Sequence, residues 1–162
     1  ISAIYKPGNC MEESMPETLR DYFGNTVKPT VDEYLSGNGR FNIRKARLAA
    51  IVVEHIIDYY SLAYKKDRAE VRKDITDLSP LYSVVRDAAD ATKHGSLKRK
   101  NTDIKENGQI KCPPGFFQTP FGEGCWAEAI EVYVETDDGR KISLENAIKE
   151  VMRVWDMKIS PH

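Results

Sequence analysis

The stretch from Asn42 to Tyr64 constrains this chain more than any other. Leu48, Ile51, Val52, His55, Ile56, Tyr59, Leu62 and Ala63 recur at helical spacing, and Ile43, Ala46, Ala50, Val53, Ile57 and Tyr60 make a second apolar stripe beside them. A helix with two apolar stripes must be covered on most sides. It predicts a helix at the centre of a bundle whose one polar seam runs through Arg47, Glu54, Asp58 and Ser61. The apolar run from Leu48 to Leu62 is broken by Glu54, His55 and Asp58 and falls short of the roughly 20 residues a bilayer requires, so no membrane span is expected.

The remaining elements follow from caps and breakers. Residues 1–14, with Pro7, Gly8 and Asn9 and no periodicity, predict a flexible arm; Ser14 before Met15-Pro16-Glu17 then predicts a helix start. That helix should stop at Gly24-Asn25, with a second short piece from Pro29 to Leu35 closing at Ser36-Gly37-Asn38-Gly39. The charged run from Lys65 to Asp77 reads as a solvated helical turn or two. Ser79-Pro80 predicts the cap of a helix through Leu81, Val84, Val85, Ala88 and Ala91 that ends at His94-Gly95. Residues 101–128 read as a long ordered loop, rich in Gly and Pro and anchored by Phe116, Phe117, Phe121 and Trp126. Over 129–159, alternation from Ile130 to Glu135 and the Asp138-Gly139 turn predict a two-stranded hairpin. A helix capped by Ser143 follows, with Leu144, Ala147, Ile148, Val151, Met152 and Trp155 on its core face. The expected fold class is mainly α: residues 15–162 form one helical-bundle domain with a small C-terminal β-hairpin and a final helix.

Composition narrows the partners. With 24 Lys plus Arg against 25 Asp plus Glu in 162 residues, the net charge is −1, which argues against coating nucleic acid through bulk charge but leaves local basic stretches free to grip phosphate. Cys10, Cys112 and Cys125 are an odd number without a C-x-x-C pair, so neither a disulfide framework nor a zinc ribbon is implied, and a cytoplasmic setting is expected. No secretory pattern precedes Met11; either residues precede Ile1 or Met11 is the native start. Walker loops, G-x-S-x-G elbows, H-E-x-x-H helices and G-x-G-x-x-G turns are all absent. No cofactor or metal is expected.

The chemistry-bearing stretch is Arg86 to Lys100. At about 100° per residue, Asp87, Asp90 and His94 share a helical face, and Arg86 reaches Asp90 one turn on. In a structural reading Arg86 and Asp90 form a surface pair while Lys93 and His94 complement the negative helix end. In a functional one Arg86 binds an anion and His94, whose ordinary pKa is about 6.5, acts as acid, base or phosphate contact. Lys93, Lys98, Arg99 and Lys100 supply charge for a nucleic-acid backbone. Glu54, His55, Asp58 and Asp87 form a secondary polar seam: His55 is either a core histidine with a carboxylate partner or, with Asp58, Asp87, Asp90 and His94, part of a divalent-metal site should the two long helices pack antiparallel.

A helical bundle whose late helix carries Arg86 and ends in Asp90-Ala91-Thr92-Lys93-His94 resembles the HEPN-like domains over about residues 40–100. The Asp90-x-x-Lys93-His94 ending is also similar to that of uncharacterised bacterial or phage proteins with a helical body, a C-terminal hairpin and a helix. The HEPN resemblance implies a small helical homodimer of prokaryotic toxin or defence systems, in which an Arg and a His cleave RNA without metal at the dimer interface, and so assigns Arg86, Asp90 and His94 to catalysis. In the family a shorter interval separates the two; here seven residues lie between them, or about 80° around a regular helix. Two other readings stay open: a non-catalytic protein-interaction module, and a metal-dependent hydrolase built on His55, Asp58, Asp90 and His94.

Overall fold

Asn42 starts the central helix α3, Ile43–Tyr64, its side chain accepting the Lys45 N–H at 3.1 Å and so satisfying a donor the first turn leaves free. The structure, a computed structural model, describes residues 15–112 and 131–160. The predicted arm over 1–14, Ser14, Cys10, Cys125 and the anchors Phe116, Phe117, Phe121 and Trp126 lie outside these residues.

Among the described residues no other pair of elements packs as extensively as α3 and α5, Tyr82–His94. The small side chains of Ala46, Ala49 and Ala50 on α3 and of Ala88, Ala89 and Ala91 on α5 are fully buried, and their lack of bulk allows the close approach. Gly95, at φ 77°, ends α5 as expected. The burial of α3 departs from its predicted pattern. Leu48, Tyr59 and Leu62 are exposed, while Glu54 and Ser61 of the polar seam are buried. Charge explains the reversal at Glu54, because neighbouring helices bring cations against it and a paired carboxylate can be covered.

Three predicted boundaries move. The chain does not stop at Gly24-Asn25: α1, Glu17–Tyr22, runs through a π-helical turn, Phe23–Val27, into α2, Lys28–Leu35. Phe23, Val27, Val31 and Tyr34 are all buried, and core packing overrides the helix-breaking tendency of Gly24. The charged run is a full helix, α4, Arg68–Leu78, capped by the Asp67 carboxylate and pinned by buried Val71 and Ile75. Ser79 does not cap α5; it is buried and its hydroxyl donates to Glu150 Oε1 at 2.6 Å, tying the α4–α5 connection to the final helix.

The hairpin is one strand larger than predicted. β1, Ile110–Lys111, pairs with β2, Tyr133–Glu135, and β2 with β3, Lys141–Ser143, in an antiparallel order β1-β2-β3. Ser143 caps α6, Leu144–Ile159, accepting the Asn146 N–H at 3.1 Å, and the predicted core stripe of α6 is buried. Trp155, fully buried, meets the Tyr60 ring of α3 at 5.5 Å. The molecule is mainly α, a helical bundle with a small antiparallel sheet and a final helix. Among the described residues no helix is long and apolar enough to cross a membrane.

Candidate anion-binding site

The basic segment after α5 turns back onto the helix it leaves. Arg99 Nη2 donates to Asp87 Oδ1 in a short contact, and Arg99 Nη1 donates to Asp90 Oδ2 at 2.5 Å, so one planar guanidinium spans two carboxylates a turn apart. The second oxygen of Asp87, which is 3% exposed, accepts the Asp103 N–H at 2.6 Å, and the Asp103 carboxylate accepts from the Ser83 hydroxyl. Backbone bonds from Leu97 to Lys105 and from Asn107 to Gly95 close the base of this segment. The four cations expected to serve as one phosphate grip, and Lys105 beyond them, are thus divided. Arg99 is committed inward, Lys105 lies 3.4 Å from Asp137, Lys93 faces Asp90 and Glu54, and Lys98 and Lys100 are exposed.

The two carboxylates respond oppositely to one partner. Burial pushes the Asp87 carboxyl above its ordinary value despite Arg99 and the Asp103 N–H. Burial would raise Asp90 as well, but hydrogen bonds from Arg99 and Lys93 outweigh it and hold that carboxyl low.

The other half of the cluster is loosely paired. Arg86 Nε stands 3.9 Å from Asp90 Oδ2, beyond hydrogen-bond distance, and that oxygen already accepts from Arg99. Burial first, then the neighbouring positive charges of Arg99 and Arg72, push the Arg86 pKa down. Glu54, its side chain 4% exposed, is ringed by Lys93 at 3.5 Å and by Arg72 and His55 at 3.9 Å each. Arg72 Nε and Arg86 Nε are buried with no hydrogen-bond partner among the described residues, and the Tyr82 hydroxyl lies against the Arg72 guanidinium. Tyr82 is fully buried beside Glu54, Arg72 and Arg86; burial and the Glu54 charge push its phenol up to about 12.

The predicted site residues therefore fall into groups. Arg86, Asp87, Asp90, Lys93 and Arg99 come together with Glu54. His55 and Asp58 pair with each other at 2.8 Å, and Asp58 is held by Arg68 at 2.6 Å, on the α4 side of α3. His94 is exposed at the end of α5 with no hydrogen bond or ion pair to a described residue, and a regular helix sets it about 12 Å along the axis from Arg86. Among the described residues no group of three or more His, Cys, Asp and Glu is placed to hold a metal ion; cations fill the space between the carboxylates. Sequence reasoning missed Arg72 and Tyr82. Tyr82 lies one turn before Arg86 on the same face, a signal that was present; Arg72 was hidden in a charged run that reads as solvent-facing.

What fold and site define is a mainly helical bundle carrying a cation-rich cluster between α3, α4 and α5. No protein-family model matches the chain, and neither a curated protein nor a solved structure matches it.

Proposed function

We propose that the chain is an RNA-associated domain of HEPN-like kind that holds a phosphate at Arg86. The observation that carries this reading is the uneven pairing of the guanidinium groups: Arg99 is held by Asp87 and Asp90, whereas Arg72 and Arg86 each stand 3.9 Å from the nearest carboxylate, Glu54 and Asp90. A phosphodiester gives Arg86 the close anionic partner that Asp90, already held by Arg99, does not. Exposed Lys98 and Lys100 extend the contact along the backbone, and His94, exposed near them in sequence, serves as acid, base or phosphate donor at the linkage. Cleavage by this arrangement needs no metal, and the resemblance places it at a homodimer interface.

Fluorescence anisotropy with a labelled single-stranded RNA tests the binding. Affinity should fall as salt rises, Arg86→Ala should weaken it by about tenfold, and Lys98→Ala with Lys100→Ala should flatten the salt dependence. Absence of binding at low salt removes the proposal. For cleavage, RNA breakdown that survives chelator and is lost in a folded His94→Ala variant supports the acid/base role; unchanged breakdown in that variant takes His94 out of the mechanism.

One observation favours a second reading, a protein-interaction module: Leu48, Tyr59 and Leu62 are exposed at helical spacing along α3. It predicts a stable protein partner and no affinity for RNA.

A further inference from the structure

We infer that the groove between α2 and α6 is a docking site for an amphipathic helix of a partner protein, one that carries acidic side chains on one flank and basic ones on the other. None of the residues lining it belongs to the cluster around Glu54, so the inference stands apart from the RNA reading.

Packing leaves the groove open. α2 and α6 each pack on α3 but far less on each other, and the space between them is about 660 Å³. Val31 and Met152, 4% and 9% exposed, line its floor, and Met157, 53% exposed, carries the apolar surface up to the rim. On α6 the lining runs from Lys149 to Ser160, about 16 Å or three helical turns. A small molecule bound there would keep much of its surface in water, because the charged residues along the edges are exposed. A longer partner covers the whole length.

Backbone chemistry selects that partner's conformation. Both walls are helices, whose N–H and C=O groups are bonded internally, so an extended segment finds no strand edge to pair with. A helix satisfies its own backbone and lays apolar side chains at i, i+4 and i+7 onto the floor. Charge selects the flanks. Among the described residues Arg153 on α6 and Asp32 on α2 make no side-chain hydrogen bond or ion pair, so one wall offers a free cation and the other a free anion. A carboxylate on the side of the partner facing α6 and an ammonium on the side facing α2 complete both. The Lys28–Asp156 pair that links the walls, at 3.6 Å and half exposed on both sides, contributes little and parts for the incoming helix.

Three labelled, alanine-based peptides of about 15 residues test this by fluorescence anisotropy. All share one leucine stripe at helical spacing; one has Glu along one flank and Lys along the other, one has Lys on both flanks, and one has Glu on both. The mixed peptide should bind the parent at least about tenfold tighter than either of the others. Arg153→Glu makes both walls acidic and should transfer the preference to the peptide with Lys on both flanks, and Met157→Asp should weaken the mixed peptide by at least about tenfold. Both positions are exposed, and circular dichroism checks that each variant is folded. Failure of the mixed peptide to bind, equal binding of all three, a preference that Arg153→Glu leaves in place, or an affinity that Met157→Asp does not move overturns the inference. Gel filtration separates the other occupant: a parent that elutes as a dimer and a Met157→Asp variant that elutes as a monomer assign the groove to a second copy of the chain and overturn the partner-helix assignment.

Discussion

Asp87 takes an ionic partner and a backbone donor at once, and in doing so it fixes where the chain goes after α5. Removing the guanidinium leaves a buried carboxylate with one hydrogen bond. Arg99→Ala should therefore cost about 3 kcal/mol in urea unfolding, at the low end for orphaning a buried ion because the Asp103 N–H remains. Asp90 makes a separate prediction about acid. Its carboxyl is held below its ordinary 3.8, so the stabilisation it contributes is complete above that value and is lost as pH falls through the lower one. Urea midpoints measured from about pH 5 down to about pH 2 should fall less steeply in Asp90→Asn than in the parent. Asp87 works the other way: with its pKa raised, it binds a proton more readily folded than unfolded, and its ionisation opposes folding as pH climbs past 3.8. An Asp90→Asn profile as steep as the parent's would show that other carboxylates govern acid unfolding.

At the scale of elements, Gln109 joins the segment after α5 to the sheet. Its side-chain oxygen accepts the Lys105 and Glu106 N–H groups at 2.7 and 2.8 Å, and its nitrogen donates to the Glu135 carbonyl and the Asp137 carboxylate. Gln109→Ala should lose about 1–2 kcal/mol, since water replaces part of what a half-buried amide provides, and amide exchange should quicken at Leu97, Lys105 and Glu106 first. Uniform exchange across the molecule would contradict this local role. The bonds to Glu135 and Asp137 were not legible in the amino-acid sequence, because Gln109 meets them across 26 and 28 positions and no periodic pattern marks such pairs. Arg99 bridging to Asp87 was hidden for the same reason. By contrast α3, α5 and α6 could be read, since each carries local spacing that states which face needs cover. α4 was underestimated because two apolar residues, Val71 and Ile75, suffice to seat it among charges. The π-helical turn was missed because Gly24-Asn25 has the local chemistry of a stop and only the core contacts of Phe23 and Val27 overrule it.

For the molecule as a whole, the candidate site depends on helices from different parts of the chain. Glu54 comes from α3, Arg72 from α4 and Arg86 from α5, and only the packing of α3 with its neighbours makes them a cluster. The charge on α5 and its meeting with the polar seam of α3 were legible as a metal site, but the cation that α4 adds was not, because Arg72 lies in a run that reads as solvated. The small sheet has a similar reach. Ile110 opposite Val134 and Lys111 opposite Tyr133 clamp the chain on either side of residues 113–130, and α6 beyond it packs on both α3 and α5. These contacts join the two parts of the chain independently of the covalent link between them. A protease site introduced within 113–130 and cleaved should yield two fragments that travel as one particle in gel filtration and part only in denaturant, so the two halves should also reassemble when expressed as separate polypeptides.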